Sequence, residues 1–169
     1  MRKQILFLLC LCLLLTCSVT SCAGSERSAE DSVRSVLALW EEVPDGVLYR
    51  AGAERGDVGY LSEADFDLLY GAGAAAYELP LVRDYAIYLS SFALPFEVAV
   101  FRCYERSDAD RLGALLLTRA DALKVSLKQC GLYGRYGERI CVAVSGEYAV
   151  LVMAESVPDT AKITRAIRP

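Results

Sequence analysis

The chain has 169 residues, 54% of them hydrophobic, a formal charge of −4 and no histidine. That length suits one domain behind an export segment, and the acidic balance argues against a protein that grips nucleic acid through its phosphates, which needs a basic face. Without imidazole there is no Ser-His-Asp triad, no Cys-His pair and no histidine metal site, so catalysis falls to carboxylates, Lys, Tyr or Cys.

Arg2 and Lys3 open the chain with positive charge, and residues 5–15 form an unbroken apolar run. As a helix that run spans roughly 16 Å, about half the hydrocarbon core of a bilayer, which suits a signal segment better than a membrane span. Small polar residues follow, and then Val19-Thr20-Ser21-Cys22. This tetrad resembles the lipobox of bacterial lipoproteins, with an aliphatic residue three before the cysteine and a small one just before it. The resemblance implies a signal peptide over 1–21, cleavage before Cys22 and a diacylglyceryl group on its thiol. Residues 22–28 are then a lipidated tether and 29–169 a single domain. Two acyl chains at ~0.8 kcal/mol per buried methylene give a stable anchor where one does not. Ordinary secretion, with cleavage near Ser21-Cys22-Ala23, and an uncleaved membrane helix are the competing readings. Loss of Arg2 and Lys3 leaves 16 basic against 22 acidic side chains, a charge of −6.

Ser28, Glu30 and Asp31 predict the start of a helix whose buried stripe is Val33, Val36, Leu37 and Trp40, stopped by Pro44-Asp45-Gly46. A strand is possible at 47–49. Ser62 and Asp65 match a capping box for a second helix with Phe66, Leu69 and Tyr70 inward, ending at Gly71. Residues 71–76 read as a small-residue loop. Residues 84–91 alternate, with Tyr85, Ile87 and Leu89 on one face and Ala86, Tyr88 and Ser90 on the other. Pro95 bars a continuous strand, and 97–104 form the second strand of a hairpin. Ser107 or Asp108 is placed to cap a long helix through about Cys130, with Leu112, Leu116, Leu123 and Leu127 buried and Gly131 ending it. Residues 133–137 read as a Gly/Tyr loop. A second hairpin joins 139–144 to 147–153 through Ser145-Gly146. Pro158 or Asp159 begins a last helix carrying Ile163 and Ile167.

The expected fold is therefore α+β: an antiparallel four-stranded sheet in the order β-β-α-β-β, with helices packed mainly on one face. Two helices precede it and a C-terminal helix closes it. Asp84 to Ser91, Glu97 to Phe101 and Gly146 to Val152 resemble, in strand pattern, a family of bacterial lipoproteins classed as domain-of-unknown-function 4358. The resemblance covers roughly Glu30 to the C-terminus. It implies a lipoprotein with an α+β domain and transfers no catalytic residue, cofactor or site.

No motif assigns an activity. Cys103, Cys130 and Cys141 lack Cys-x-x-Cys spacing; they read as core thiols or as one disulfide and an odd thiol. Asp84 and Glu97 flank the first hairpin and could face each other as a carboxylate pair. More simply, they solvate strand ends. Asp57, Glu63, Asp65 and Asp67 form an acidic cluster without the ligand order of a calcium loop. Ser126 and Lys128 point to different sides of one helix. Tyrosine stands out. Tyr88, Arg102 and Tyr104 fall on or beside one sheet face, and Tyr133, Arg135 and Tyr136 lie in the Gly loop. Tyr and Arg are favoured at contacts because they bury area and keep a polar end. These six residues form the candidate binding surface, unless the N-terminal helices cover that face.

The functional expectation is a non-enzymatic binding or accessory module held at the outer face of the cytoplasmic membrane by lipid on Cys22. Its partner would be an envelope protein, a peptide or a small ligand, with no cofactor, metal or nucleic acid. The alternative is a cell-envelope hydrolase using carboxylates or Tyr.

Overall fold

The computed structural model describes residues 27–90 and 95–168. The expected signal segment, the lipobox-like tetrad and Cys22 lie outside the described residues. In chain order the elements are α1 (Ala29–Leu37), β1 (Gly46–Arg50), α2 (Glu63–Tyr70), α3 (Ala74–Glu78), β2 (Val82–Ser90), β3 (Glu97–Cys103), α4 (Arg106–Gln129), α5 (Tyr133–Tyr136), β4 (Ile140–Ser145), β5 (Tyr148–Met153) and α6 (Thr160–Ile167). Among the described residues no helix is long and apolar enough to cross a membrane.

Local chemistry sets most boundaries. The Ser28 hydroxyl accepts from the Asp31 N–H at 3.0 Å, capping α1. Ser62 and Asp65 form the reciprocal capping box of α2. Asp159 caps α6 through the Ala161 N–H. Three expectations shift. The long helix starts from Glu105 as its N-cap, so Arg106, Ser107 and Asp108 already lie inside it. The small-residue stretch winds into α3 from Ala74 because the Asp67 carboxylate collects the N–H groups of Gly73 at 3.0 Å and Ala75 at 2.7 Å. The Gly/Tyr loop closes into the single turn α5.

The sheet is antiparallel throughout, in the order β1-β2-β3-β5-β4. It therefore has five strands where four were expected. The added strand is β1, which runs along β2 from Gly46 opposite Ser90 to Arg50 opposite Ala86. Gly46 makes this approach feasible: a Cβ there would stand 2.4 Å from the Leu89 carbonyl oxygen and 2.7 Å from the Tyr88 ring.

The helices also cover both faces rather than mainly one, and of the two N-terminal helices it is α1 that covers the second face. α2, α3 and α4 pack over Ile87, Ala99, Phe101, Ala149 and Leu151. α1 and α6 pack over Ala86, Val98, Val100, Val150 and Val152. The reason lies in β3 and β5, which are buried at every residue. A strand apolar on both sides needs a cover on each.

Candidate functional site

At one end of the sheet the C-terminal side of α1, the start of β3, α5 and the segment after β5 leave a cleft of about 590 Å³. Trp40, Val43, Pro44, Phe96 and Tyr136 form its apolar lining, and Glu42, Arg139, Glu155 and Ser156 its polar part. The aromatic groups are held in place. Trp40 meets Phe96 edge-on at 5.2 Å between ring centres and donates its Nε1–H to the Ser156 carbonyl at 2.7 Å. Behind them Tyr88 packs edge-on against Phe96 at 6.0 Å and donates its hydroxyl to the Pro44 carbonyl at 2.6 Å. Edge-on pairs of this kind are favourable beyond their buried area and fix ring orientation.

The polar part is held by an ion pair. Arg135 meets Glu155 at 2.8 Å, and Arg139 donates to the Glu155 backbone carbonyl. The Arg135 hydrogen bond pulls the Glu155 carboxyl below the usual range, and the same bond raises the Arg135 guanidinium. The carboxylate is thus partnered and ionised, the opposite of a carboxyl kept protonated to act as an acid.

The six sequence candidates do not share one exposed face. Tyr136 lines the cleft and is nearly fully buried. Arg135 reaches it through Glu155, and Tyr88 supports its wall through Phe96 and Pro44. Tyr133 packs beside Tyr136 and receives the Lys128 ammonium at 4.7 Å from its ring centre. Arg102 is buried at the other end of β3, opposite Asp84 and Tyr148. Tyr104 is exposed beyond that end, under Arg83 at 5.6 Å. The sheet face that would have been open is covered by α1 and α6.

Asp84 and Glu97 do not face each other. Asp84 lies opposite Arg102 and accepts from the Ala29 N–H at 2.7 Å, whereas Glu97 lies opposite Leu89 at the far end of the hairpin. Nor does Glu97 solvate a strand end. It is 1% exposed, bonded to Arg119 at 2.9 Å, and reached by the Tyr70 hydroxyl at 3.5 Å. In the acidic cluster Asp65 and Asp67 serve as caps, and among the described residues no group of acids and cysteines is placed to hold a metal ion. Cys103, Cys130 and Cys141 are unpaired thiols. Burial first, then Asp108 and Glu147, push the Cys103 thiol up to about 12, so it is protonated and unreactive at neutral pH. Ser126 is turned back to the Ala122 carbonyl and Lys128 to Tyr133.

The sequence reading missed two features. Trp40 reads as part of a buried stripe and Phe96 as part of a connection; their meeting has one available signal, a lone Trp just before a Pro-Asp-Gly turn. The trio Tyr70, Glu97 and Arg119 had none, because three separate elements supply it.

No family model matches the chain, and no curated protein or solved structure is significantly similar to it. The likeness to the lipoprotein family therefore rests on strand patterns alone.

Proposed function

We propose that this protein is a lipid-anchored, extracytoplasmic binding module whose cleft takes an apolar or aromatic group of a peptide or small ligand. The observation that carries this reading is the preformed cleft of Trp40, Phe96 and Tyr136, with the ionised Arg135–Glu155 pair at its polar side. Binding sites are concave and mostly apolar, with a few fixed polar groups that set orientation. The location rests on the lipobox-like residues 19–22. The hydrolase alternative calls for two converging carboxyls with one held protonated, and the cleft carboxyl with a perturbed pKa, Glu155, moves the other way.

Trp40 is the only tryptophan in the chain and it lines the cleft, so its emission reports occupancy. Titration with anilinonaphthalene sulfonate, an aromatic anion, is expected to quench Trp40 saturably. Val43→Arg, which fills the half-buried rim, is expected to weaken that quenching while the melting curve is retained. Equal quenching in the variant would place the probe elsewhere and remove the support for the cleft. For the anchor, Cys22→Ser is expected to abolish lipid labelling and release the protein from membranes; persistent labelling would overturn the location.

A further inference from the structure

The two edges of the sheet are finished differently. The edge of β1 is covered toward its Arg50 end. Arg50 donates its N–H to the Gly59 carbonyl at 3.0 Å, and a Cβ on Gly59 would stand 2.4 Å from the Leu48 carbonyl oxygen. The segment around Gly59 therefore lies directly along that edge.

The outer edge of β4 is open. Cys103 donates to the Glu147 carbonyl at 2.8 Å, which sets the alternation: 147, 149, 151 and 153 bond toward β3. Tyr148, Val150 and Val152 then bond toward β4, where they meet Ser145, Ala143 and Cys141. The N–H and C=O groups of Ile140, Val142 and Val144 consequently point outward. Among the described residues no backbone hydrogen bond from another segment reaches these three. Natural edge strands are protected by charge, proline, a bulge or a cover. β4 reads Ile-Cys-Val-Ala-Val-Ser, with no proline, no charged residue and no break in its register with β5.

Beside this edge α4 carries Leu117, which is 57% exposed. Leu117, Ile140, Val142, Val157 and Thr160 border a groove of about 780 Å³ along the strand. Asp110 and Lys124 stand seven residues before and after Leu117, almost two full turns, so all three lie on one stripe. The two charges are opposite and equidistant from Leu117.

We propose that β4 pairs antiparallel with β4 of a second copy of this chain, about a two-fold axis at Val142, joining the two sheets edge to edge. Val142 then faces its own counterpart, and Ile140 faces the other copy's Val144, each facing pair exchanging two backbone bonds. Ile140 and Val142 project on the α4 side of the sheet, so Leu117 meets its counterpart over the axis. Asp110 then faces the Lys124 of the second copy, and Lys124 its Asp110. This charge match is what selects a second copy in antiparallel register. Lys124 touches Asp121 at 2.9 Å within its own helix, and its ammonium keeps donors for a second carboxylate. Lys128, further along the same stripe, is turned to Tyr133; the same symmetry sets it opposite Arg106 of the second copy, a like-charge pair at the far ends of the two helices.

Sedimentation equilibrium of the full chain in mild detergent tests this. The protein is expected to sediment as a dimer. Val142→Pro removes an outward N–H and no bond to β5, so the fold should persist by circular dichroism while the dimer is lost. Asp110→Lys is expected to raise the dissociation constant about tenfold, and Asp110→Lys with Lys124→Asp to restore it. If Val142→Pro does not fold, the charge pair alone decides. A monomer up to about 0.1 mM, a dimer untouched by a folded Val142→Pro, no rescue by the double reversal, or one-to-one capture of an extended peptide in place of a dimer would each overturn the proposal.

Discussion

The side chain with most at stake is Glu97. It is 1% exposed, and its partner Arg119 bonds it through one nitrogen, Nη2, at 2.9 Å. The buried Nε of Arg119 has no hydrogen-bond partner among the described residues. Such a pair contributes little net stability, since both charges are desolvated, but removal of one partner strands the other. Arg119→Met is therefore expected to cost about 3–5 kcal/mol, and Glu97→Leu with Arg119→Met to recover most of that loss. Urea unfolding of both variants checks it; equal losses in the single and double variants would show that the two charges are not coupled. Tyr70 adds a pH signature. Burial first, then the Glu97 charge, hold its hydroxyl well above the ordinary value of 10.0. The folded protein keeps a proton that the unfolded chain releases, so this contribution is whole below pH 10.0 and fades as pH rises toward the folded value. Tyr70→Phe should flatten the fall in urea midpoint on the alkaline side; Tyr85 and Tyr88, also raised by burial, keep part of the slope. None of this was legible in the sequence. Glu97 opens a strand after Pro95-Phe96, where a solvated acid is the ordinary outcome, and its cover arrives from 22 residues away.

At the scale of elements, what could be read was what local chemistry decides. Ser28 and the Ser62–Asp65 box cap the helices expected of them, because a cap needs only a side-chain oxygen within three residues of an orphan N–H. Ser62→Ala should cost about 0.5–2 kcal/mol by thermal melting. What could not be read was α3, because its organiser sits outside it. Asp67, six and eight residues upstream, holds the Gly73 and Ala75 N–H groups, and those two bonds, Ala75 first, draw its carboxyl below the ordinary 3.8. Its contribution is complete above that value and is lost as pH falls toward the folded one. Asp67→Ala should speed amide exchange at Gly73 and Ala75 at neutral pH, and wild type should approach the variant only in acid. The weak patterning near β1 has a similar origin. Gly59 shields that edge with φ at 92° and no room for a Cβ, so Gly59→Ala combines backbone strain of about 1–3 kcal/mol with a clash against Leu48. Exchange of the Arg50 amide, which donates to Gly59, would report the loosening.

Across the whole molecule the central strands join two cores. β3 and β5 send alternate side chains into the α2–α3–α4 layer and into the α1–α6 layer, and neither strand has an exposed residue. That pattern was present in the sequence as near-continuous apolar runs, Val98 to Phe101 and Ala149 to Met153, and such runs signal a strand covered on both sides. Short hairpin links and one long helix point instead to helices mainly on one face, with cover of the other by the N-terminal helices only as an alternative; α1, joined by α6, supplies that cover. The layering has an energetic consequence. Neither layer has a core of its own to keep once the shared strands separate, so damage to one should unfold both in a single transition. Leu112, fully buried on the α4 side, and Val33, fully buried on the α1 side, probe the two layers. Leu112→Ala should cost about 2–5 kcal/mol and Val33→Ala somewhat less, since a smaller side chain is removed. Trp40 belongs to the α1 layer, while far-ultraviolet circular dichroism is weighted toward the 24-residue α4. In Leu112→Ala the two signals should lose structure at one urea midpoint, although the lesion lies across the sheet from the tryptophan. A Trp40 transition that stayed at the wild-type midpoint while the helical signal moved would mean that the layers are held separately and that β3 and β5 do not couple them.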